Sequence, residues 1–185
     1  MIIAISIIAI VGAMILYSCY VSVVKNANTA REALSGIDVQ LRKRYDLIPN
    51  VLTIAKKFME HENDLFEKIV MLRTQAHNCK SGTKEKFEAE AQLDAQMKSL
   101  MVNVENYPQL KSDETMLQAM RTYNEVEENI SAARRFYNSA LTQLRNSIQI
   151  FPGSLFASCA GDTSDFSYFE TDPASKAPID ASKYL

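Results

Sequence analysis

From Ile2 to Val24 the chain carries no charged side chain, and Ile, Val, Ala, Leu and Met dominate the run. As an α-helix it extends about 35 Å at about 1.5 Å per residue, enough to cross a hydrocarbon core about 30 Å thick with some tilt. Tyr17 and Tyr20 stand near its far end, where interfacial aromatics belong. Beyond it the pattern changes. Apolar residues recur every three or four positions, which predicts a series of amphipathic helices. In the first of these Ala30, Ala33 or Leu34, Ile37, Leu41, Tyr45 and Ile48 share one face. Nothing between Val24 and Ile37 is a strong stop, so the apolar helix is expected to continue into the amphipathic one. Pro49 disfavours helix at Ile48, and a kink or short break is expected there.

The next segment carries Leu52, Ala55, Phe58 or Met59, Leu65, Phe66, Ile69, Leu72 and Ala76. His77-Asn78-Cys79-Lys80-Ser81-Gly82 reads as a polar loop, after which Ser81 or Thr83 supplies a cap. A further helix follows, with Phe87, Ala91, Leu93 or Ala95, Met97, Leu100, Met101 and Val104 on its apolar face, ended by Tyr107-Pro108. Ser112-Asp113-Glu114 then opens the last and longest helix. Its stripe is Leu117, Met120, Tyr123, Val126, Ile130, Ala133, Tyr137, Leu141, Leu144, Ile148 and Phe151, stopped by Pro152-Gly153. From Ser154 onward Gly, Ser, Asp and Pro mix with Phe156, Phe166, Tyr168 and Phe169. The part up to about Phe169 is expected to pack on the helices and the last dozen residues to be loose.

The predicted fold is all-α: an antiparallel four-helix bundle with long helices, preceded by one N-terminal transmembrane helix. The expected parts are a transmembrane anchor over 1–25, a cytoplasmic helical bundle over 26–152, and a partly packed tail over 153–185. No Lys or Arg precedes the apolar run, whereas Lys25, Arg31 and the cluster Arg42-Lys43-Arg44 follow it. The positive-inside rule then puts the N-terminus outside and the body in the cytoplasm, with the bilayer contacted through residues 2–24. Two rival readings are weaker. A cleaved signal peptide wants a basic start and a shorter apolar stretch, although Val11-Gly12-Ala13 is a passable cleavage triplet. A lipoprotein signal would end in a small residue before Cys; Leu16-Tyr17-Ser18-Cys19 only faintly fits, because Tyr17 is bulky.

Composition narrows the function. The 185 residues carry a net charge of -2, which argues against a general nucleic-acid binder. Five Gly and five Pro are few for a turn-rich all-β fold. Three Cys without a CxxC argue against a disulfide framework or a zinc ribbon. The glycines are too sparse for a phosphate-cradling loop, and no GxSxG motif occurs. His61 lies among Glu60, Glu62 and Asp64, where a solvated helix face is the simpler reading than a metal site. His77 and Cys79 are two apart, and nothing in the sequence orients them as a catalytic pair. No cofactor, metal or enzymatic activity is expected. Cys79 is expected in an exposed loop and Cys159 half-buried.

What remains is a set of polar residues woven into the helix faces. Asp38 and Arg42 stand at i,i+4 with the acid first, the better order, and Asp46 sits four beyond Arg42. Arg134, Tyr137, Asn138 and Leu141 share a face of the last helix. Asp38, Arg42, Arg44, Tyr45, Arg134, Tyr137 and Asn138 are the candidate site. They serve either as an inter-helix polar network that fixes register or as a recognition surface for another protein. For Arg42-Lys43-Arg44 the simple reading is an exposed basic turn, too far from the bilayer to bind its lipid.

At these residues the chain resembles the LemA family of bacterial membrane proteins. Ile37-Asp38-Val39-Gln40-Leu41-Arg42-Lys43-Arg44-Tyr45-Asp46-Leu47-Ile48-Pro49-Asn50 follows the family's IDVQLKRRYDLIPN block almost letter for letter. Val104 to Lys111 resembles its VEAYPDLKA segment, Arg134-Arg135-Phe136-Tyr137-Asn138 its ARRxYN block, and Phe151-Pro152 and Phe169-Glu170 its later signposts. The match departs at three places: Leu34-Ser35 stands for Trp-Ser, Glu127-Glu128 for Glu-Asn, and Gly161-Asp162 for Gly-Phe. The resemblance implies a membrane anchor, a cytoplasmic antiparallel four-helix bundle and no established enzyme activity. The leading functional expectation is a membrane-tethered scaffold or adaptor at the bacterial inner membrane, with an unidentified protein partner. The alternative is a self-associating, membrane-organising structural protein whose partner is a second copy of the chain. A hydrolase with an unfamiliar site comes third.

Overall fold

The computed structural model describes residues 1–163 and 166–169, and among them the chain is helical with no strand. The expected looseness of the last dozen residues, and Glu170 of the last signpost, lie outside the described residues. Helix α1 runs unbroken from Ile2 to Ala55. None of residues 2–22 is buried. From Val23 onward one face is covered, through Ala27, Ala30, Ala33, Ile37, Leu41, Tyr45, Ile48, Leu52 and Ala55. The apolar run and the core stripe are thus two parts of one rod.

The break expected at Ile48-Pro49 does not form. Proline lacks an N–H, so the carbonyl of Tyr45, four residues earlier, has no helical donor. Arg73 supplies one from another helix: its Nε donates to the Tyr45 carbonyl at 2.8 Å. With that acceptor satisfied the helix continues past Pro49 for another turn and a half. Met59 is buried in the turn that follows.

Helix α2 spans Asn63–Asn78 and buries Phe66, Ile69, Leu72 and Ala76. It includes His77 and Asn78, so the polar loop starts at Cys79, later than the breaker-rich sequence suggests. Helix α3 spans Lys84–Val104; Thr83 is its cap, the hydroxyl accepting from the Lys86 amide at 3.3 Å. Its core face is Phe87, Ala89, Glu90, Leu93, Met97, Leu100 and Val104. Ala91, expected inside, is exposed. A single turn, α4 (Pro108–Lys111), leads to α5, Glu114–Gln149. Asp113 caps α5 by accepting from the Met116 amide at 2.8 Å.

Helices α1 and α5 lie antiparallel along each other. Asn146 and Ile150 border Cys19 and Ser22, while Thr115 and Gln118 border Val51 and Ile54 at the other end. Ala27, Ala30, Ala33 and Ala140 leave room for close approach of the two backbones. Helices α2 and α3 form a hairpin whose apolar faces join the same core. Each large apolar side chain fully buried there contributes about 1.5–3 kcal/mol. The α5 stripe holds in its middle, from Tyr123 to Leu144, and frays at both ends. Leu117 is exposed, with Met116 buried in its place, and Phe151 lies beyond the helix end in solvent.

The start of the tail is ordered. Gly153–Ala160 forms a 3-10 helix against α1 and α5. It sits so close that a Cβ on Gly153 would collide with the Ser147 carbonyl. Phe156 meets Tyr20 edge-on, ring centroids 5.9 Å apart. The chain leaves at Gly161 with φ of 75°, a left-handed backbone suited to glycine, under the Arg31 guanidinium, which donates to the Ala160 carbonyl.

Candidate functional site: a buried ion network and a clamped strap

Three helices meet at Arg44. Its side chain is wholly buried, and it donates to Glu90 of α3 and, at 2.9 Å, to Glu127 of α5. Glu90 is also wholly buried and accepts from the Tyr45 hydroxyl. Lys86, one turn before Glu90, donates to the Tyr45 hydroxyl at 2.8 Å and to the Ala76 carbonyl at 2.6 Å, and lies 3.4 Å from Glu90. Burial alone would lower the basicity of Arg44, but Glu90 and Glu127 outweigh it and hold the guanidinium firmly charged. Burial, then the Glu90 carboxylate, push the Tyr45 hydroxyl well above its ordinary range. Tyr123, buried beside Glu127, is raised in the same way, by burial first. Arg134 is pushed down by burial and by the positive charge of Arg44. Arg44 Nε and Arg134 Nε are buried and find no hydrogen-bond partner among the described residues.

Next to this network, residues 166–169 lie as a strap along α5. Asn138 grips Phe169 at both backbone groups: Nδ2 donates to its carbonyl at 2.9 Å and Oδ1 accepts from its amide at 3.0 Å. The Tyr137 hydroxyl donates to the Ser167 carbonyl at 3.1 Å, and Arg145 to the Phe166 carbonyl at 2.9 Å. The Ser167 amide donates to the Gly82 carbonyl at 3.2 Å, tying the α2–α3 turn to α5. The Phe169 ring stacks on Phe87 at 3.5 Å and lies beneath the Arg134 guanidinium at 5.0 Å. Burial pushes the Tyr137 hydroxyl up to about 12, with Arg145 opposing.

The candidate residues therefore separate. Arg44 and Tyr45 enter the buried network; Arg134, Tyr137 and Asn138 hold the strap. Asp38 is half-buried and accepts from Ser81 at 2.6 Å, fastening the α2–α3 turn to α1. The expected Asp38–Arg42 pair does not form. Arg42 follows buried Leu41 and is turned about 100° away from it, into solvent. It has no ion pair among the described residues, and Asp46 is exposed as well. Glu90, Lys86 and Glu127 are not among the residues that sequence reasoning singles out, yet they supply the partners of Arg44 and Tyr45. Their signal is positional. Glu90 stands three and seven residues before Leu93 and Met97, in the register of the α3 core face. Of the Glu127-Glu128 pair, Glu127 carries the ion pair and Glu128, where the family pattern differs, is exposed. The cysteines reverse expectation: Cys79 packs partly against the core and Cys159 is exposed. His61 is exposed, and no group of three His, Cys, Asp or Glu able to hold a metal converges among the described residues.

These features define an all-helical protein whose N-terminal helix is long and apolar enough to cross a membrane and is continuous with the core. The model of the LemA family matches residues 33–181, which takes in the Arg44 network and the strap. The chain belongs to the LemA family. It is similar to Protein LemA of Metamycoplasma hominis, 23% identical over 176 residues, spanning 91% of this chain and 78% of that protein.

Proposed function

We propose that this protein is a membrane-anchored, non-catalytic scaffold or adaptor. Residues 2–24 cross the bacterial inner membrane with the N-terminus outside, and the four long helical segments stand in the cytoplasm as an antiparallel four-helix bundle. The observation that carries this reading is the unbroken α1, which couples an uncovered apolar segment to the core without a linker. The polar chemistry is turned inward, with Glu90 committed to Arg44 and Tyr45, which supports a structural use. Exposed Arg42, Lys43 and Asp46, on the α1 turns around the network, are among the side chains open to a partner.

Two readouts on the full chain in living cells test this. A membrane-impermeant maleimide should label Ser112→Cys, in a background with the native cysteines replaced, only after lysis; labelling of intact cells overturns the topology. A photo-cross-linker placed at Arg42 or Asp46 should give one discrete adduct with a cytoplasmic protein, absent when the cross-linker is placed at Ile8. Adducts of the chain with itself alone would instead support the self-associating alternative. Absence of adducts from every exposed face of the bundle would remove the scaffold reading.

A further inference from the structure

The corner after α5 presents large apolar side chains to the outside. Ile150 is 64% exposed, Phe151 77% and Leu155 63%. No charged residue occurs between Arg145 and Asp162, so this segment brings no charge of its own that has to leave water. The inward groups of the same stretch are taken up by the fold, Phe156 against Tyr20 and Ala160 beneath Arg31, while Phe151 and Leu155 face away.

The height of this corner along α1 is set by the rod itself. None of residues 2–22 is buried, and Val23 is the first side chain that is. That unburied length is about 31 Å at about 1.5 Å per residue, close to a hydrocarbon core about 30 Å thick, and the body first touches it near its far end, at Cys19 and Tyr20. The body of the protein therefore begins where the bilayer must end. The elements that begin it are the end of α5 and the 3-10 helix. A Cβ on Gly153 would lie 3.8 Å from the Val23 side chain, and Ile150 to Gly153 border Cys19 and Ser22. Exposed Lys25 stands just past this level, placed for anionic headgroups.

We propose that Ile150, Phe151 and Leu155 form a second membrane contact, seated in the lipid interface of the leaflet from which α1 emerges. The proposal rests on residues 2–24 spanning the bilayer. It adds a footing beside the anchor, so that the body is held at two points and its rotation about α1 is restricted. A surface of this kind, apolar and uncharged at the depth of an interfacial tyrosine, fits the boundary between acyl chains and headgroups.

The chain has no Trp, so single substitutions give clean reporters. The full chain would be reconstituted in phosphatidylcholine–phosphatidylglycerol vesicles as Phe151→Trp, Leu155→Trp, Ile8→Trp and Phe136→Trp. Lipids carrying a nitroxide near the glycerol, or deep in the acyl chain, serve as quenchers. Phe151→Trp and Leu155→Trp should emit to the blue and be quenched more by the shallow quencher than by the deep one, as befits an interfacial Trp. Ile8→Trp should respond to the deep quencher, and Phe136→Trp, exposed on the middle of α5, to neither. Quenching at Ile8 without quenching at Phe151 and Leu155 overturns this inference and leaves the anchor intact. No quenching at Ile8 overturns the anchor and this inference with it. Equal quenching at Phe136 overturns the localised contact, because the whole body would then lie on the membrane.

Discussion

Arg73 and Pro49 make a pair that can be separated by mutation. Arg73→Ala removes the donor that satisfies the Tyr45 carbonyl at 2.8 Å. A buried acceptor left without a partner costs about 1–3 kcal/mol; the bond here is part-buried, so about 1–2 kcal/mol is expected. For a chain of this size that lowers the melting midpoint by about 2–8 °C, taking about 2–4 °C per kcal/mol. Pro49→Ala restores an N–H four residues after Tyr45, which supplies the missing helical bond directly. In that background Arg73→Ala should cost less than about 0.5 kcal/mol, giving a coupling energy of about 0.5–2 kcal/mol. The assay is thermal and urea unfolding of the four full-length proteins of the cycle in one detergent, followed by circular dichroism. An equal penalty for Arg73→Ala in both backgrounds would refute the reasoning. Arg73 would then act through its packing, and the continuity of α1 past Pro49 would need another cause.

Two further outcomes follow from the buried network and the strap. Glu90→Leu strands Arg44 with Glu127 alone and should destabilise by about 3–5 kcal/mol, read from the same unfolding curves; adding Arg44→Met should recover most of that loss, and a double variant as unstable as the single would count against the ion pair as the cause. Tyr45, Tyr123 and Tyr137 all have hydroxyls raised in the fold, Tyr137 to about 12, so the native state holds their protons more tightly than the unfolded chain. Their contribution is complete below the ordinary tyrosine range near 10 and is lost as pH rises through the folded values, so urea midpoints should fall between about pH 10 and pH 12. Tyr137→Phe should flatten that fall; an unchanged slope would exclude Tyr137 as a source.

The helical stripes were legible because their spacing is a property of each helix alone. Ile37, Leu41, Tyr45 and Ile48 on α1, and Tyr123, Val126, Ile130, Tyr137, Leu141 and Leu144 on α5, are buried as their periodicity predicts, with Ala133 partly so. The continuity of α1 was legible up to Pro49 and misread there, since the donor that rescues it comes from α2, 28 residues away. The site was read by similar local rules, and these failed where partners lie on other helices. Asp38 looked paired with Arg42 on its own helix but is held by Ser81. Arg44 looked like part of a basic surface turn, yet it faces two carboxylates 46 and 83 residues away. Glu90 left a trace in the α3 register that spacing alone did not distinguish from a solvated acid. The strap contacts of Tyr137 and Asn138 are made with backbone groups, which carry no residue-type signal at all.

A rod that begins bare and ends in a core is a lever. About 50 Å of α1 lies beyond Ser22, at about 1.5 Å per residue. With α1 moving as one continuous helix, a change of about 10° in the inclination of its first part would swing the Ala55 end sideways by about 9 Å. Bilayer thickness bears on the inclination of a spanning helix. With residues 2–24 spanning a bilayer as proposed above, the far end of this protein would report the thickness of the lipid around its foot, in ångströms of lateral displacement.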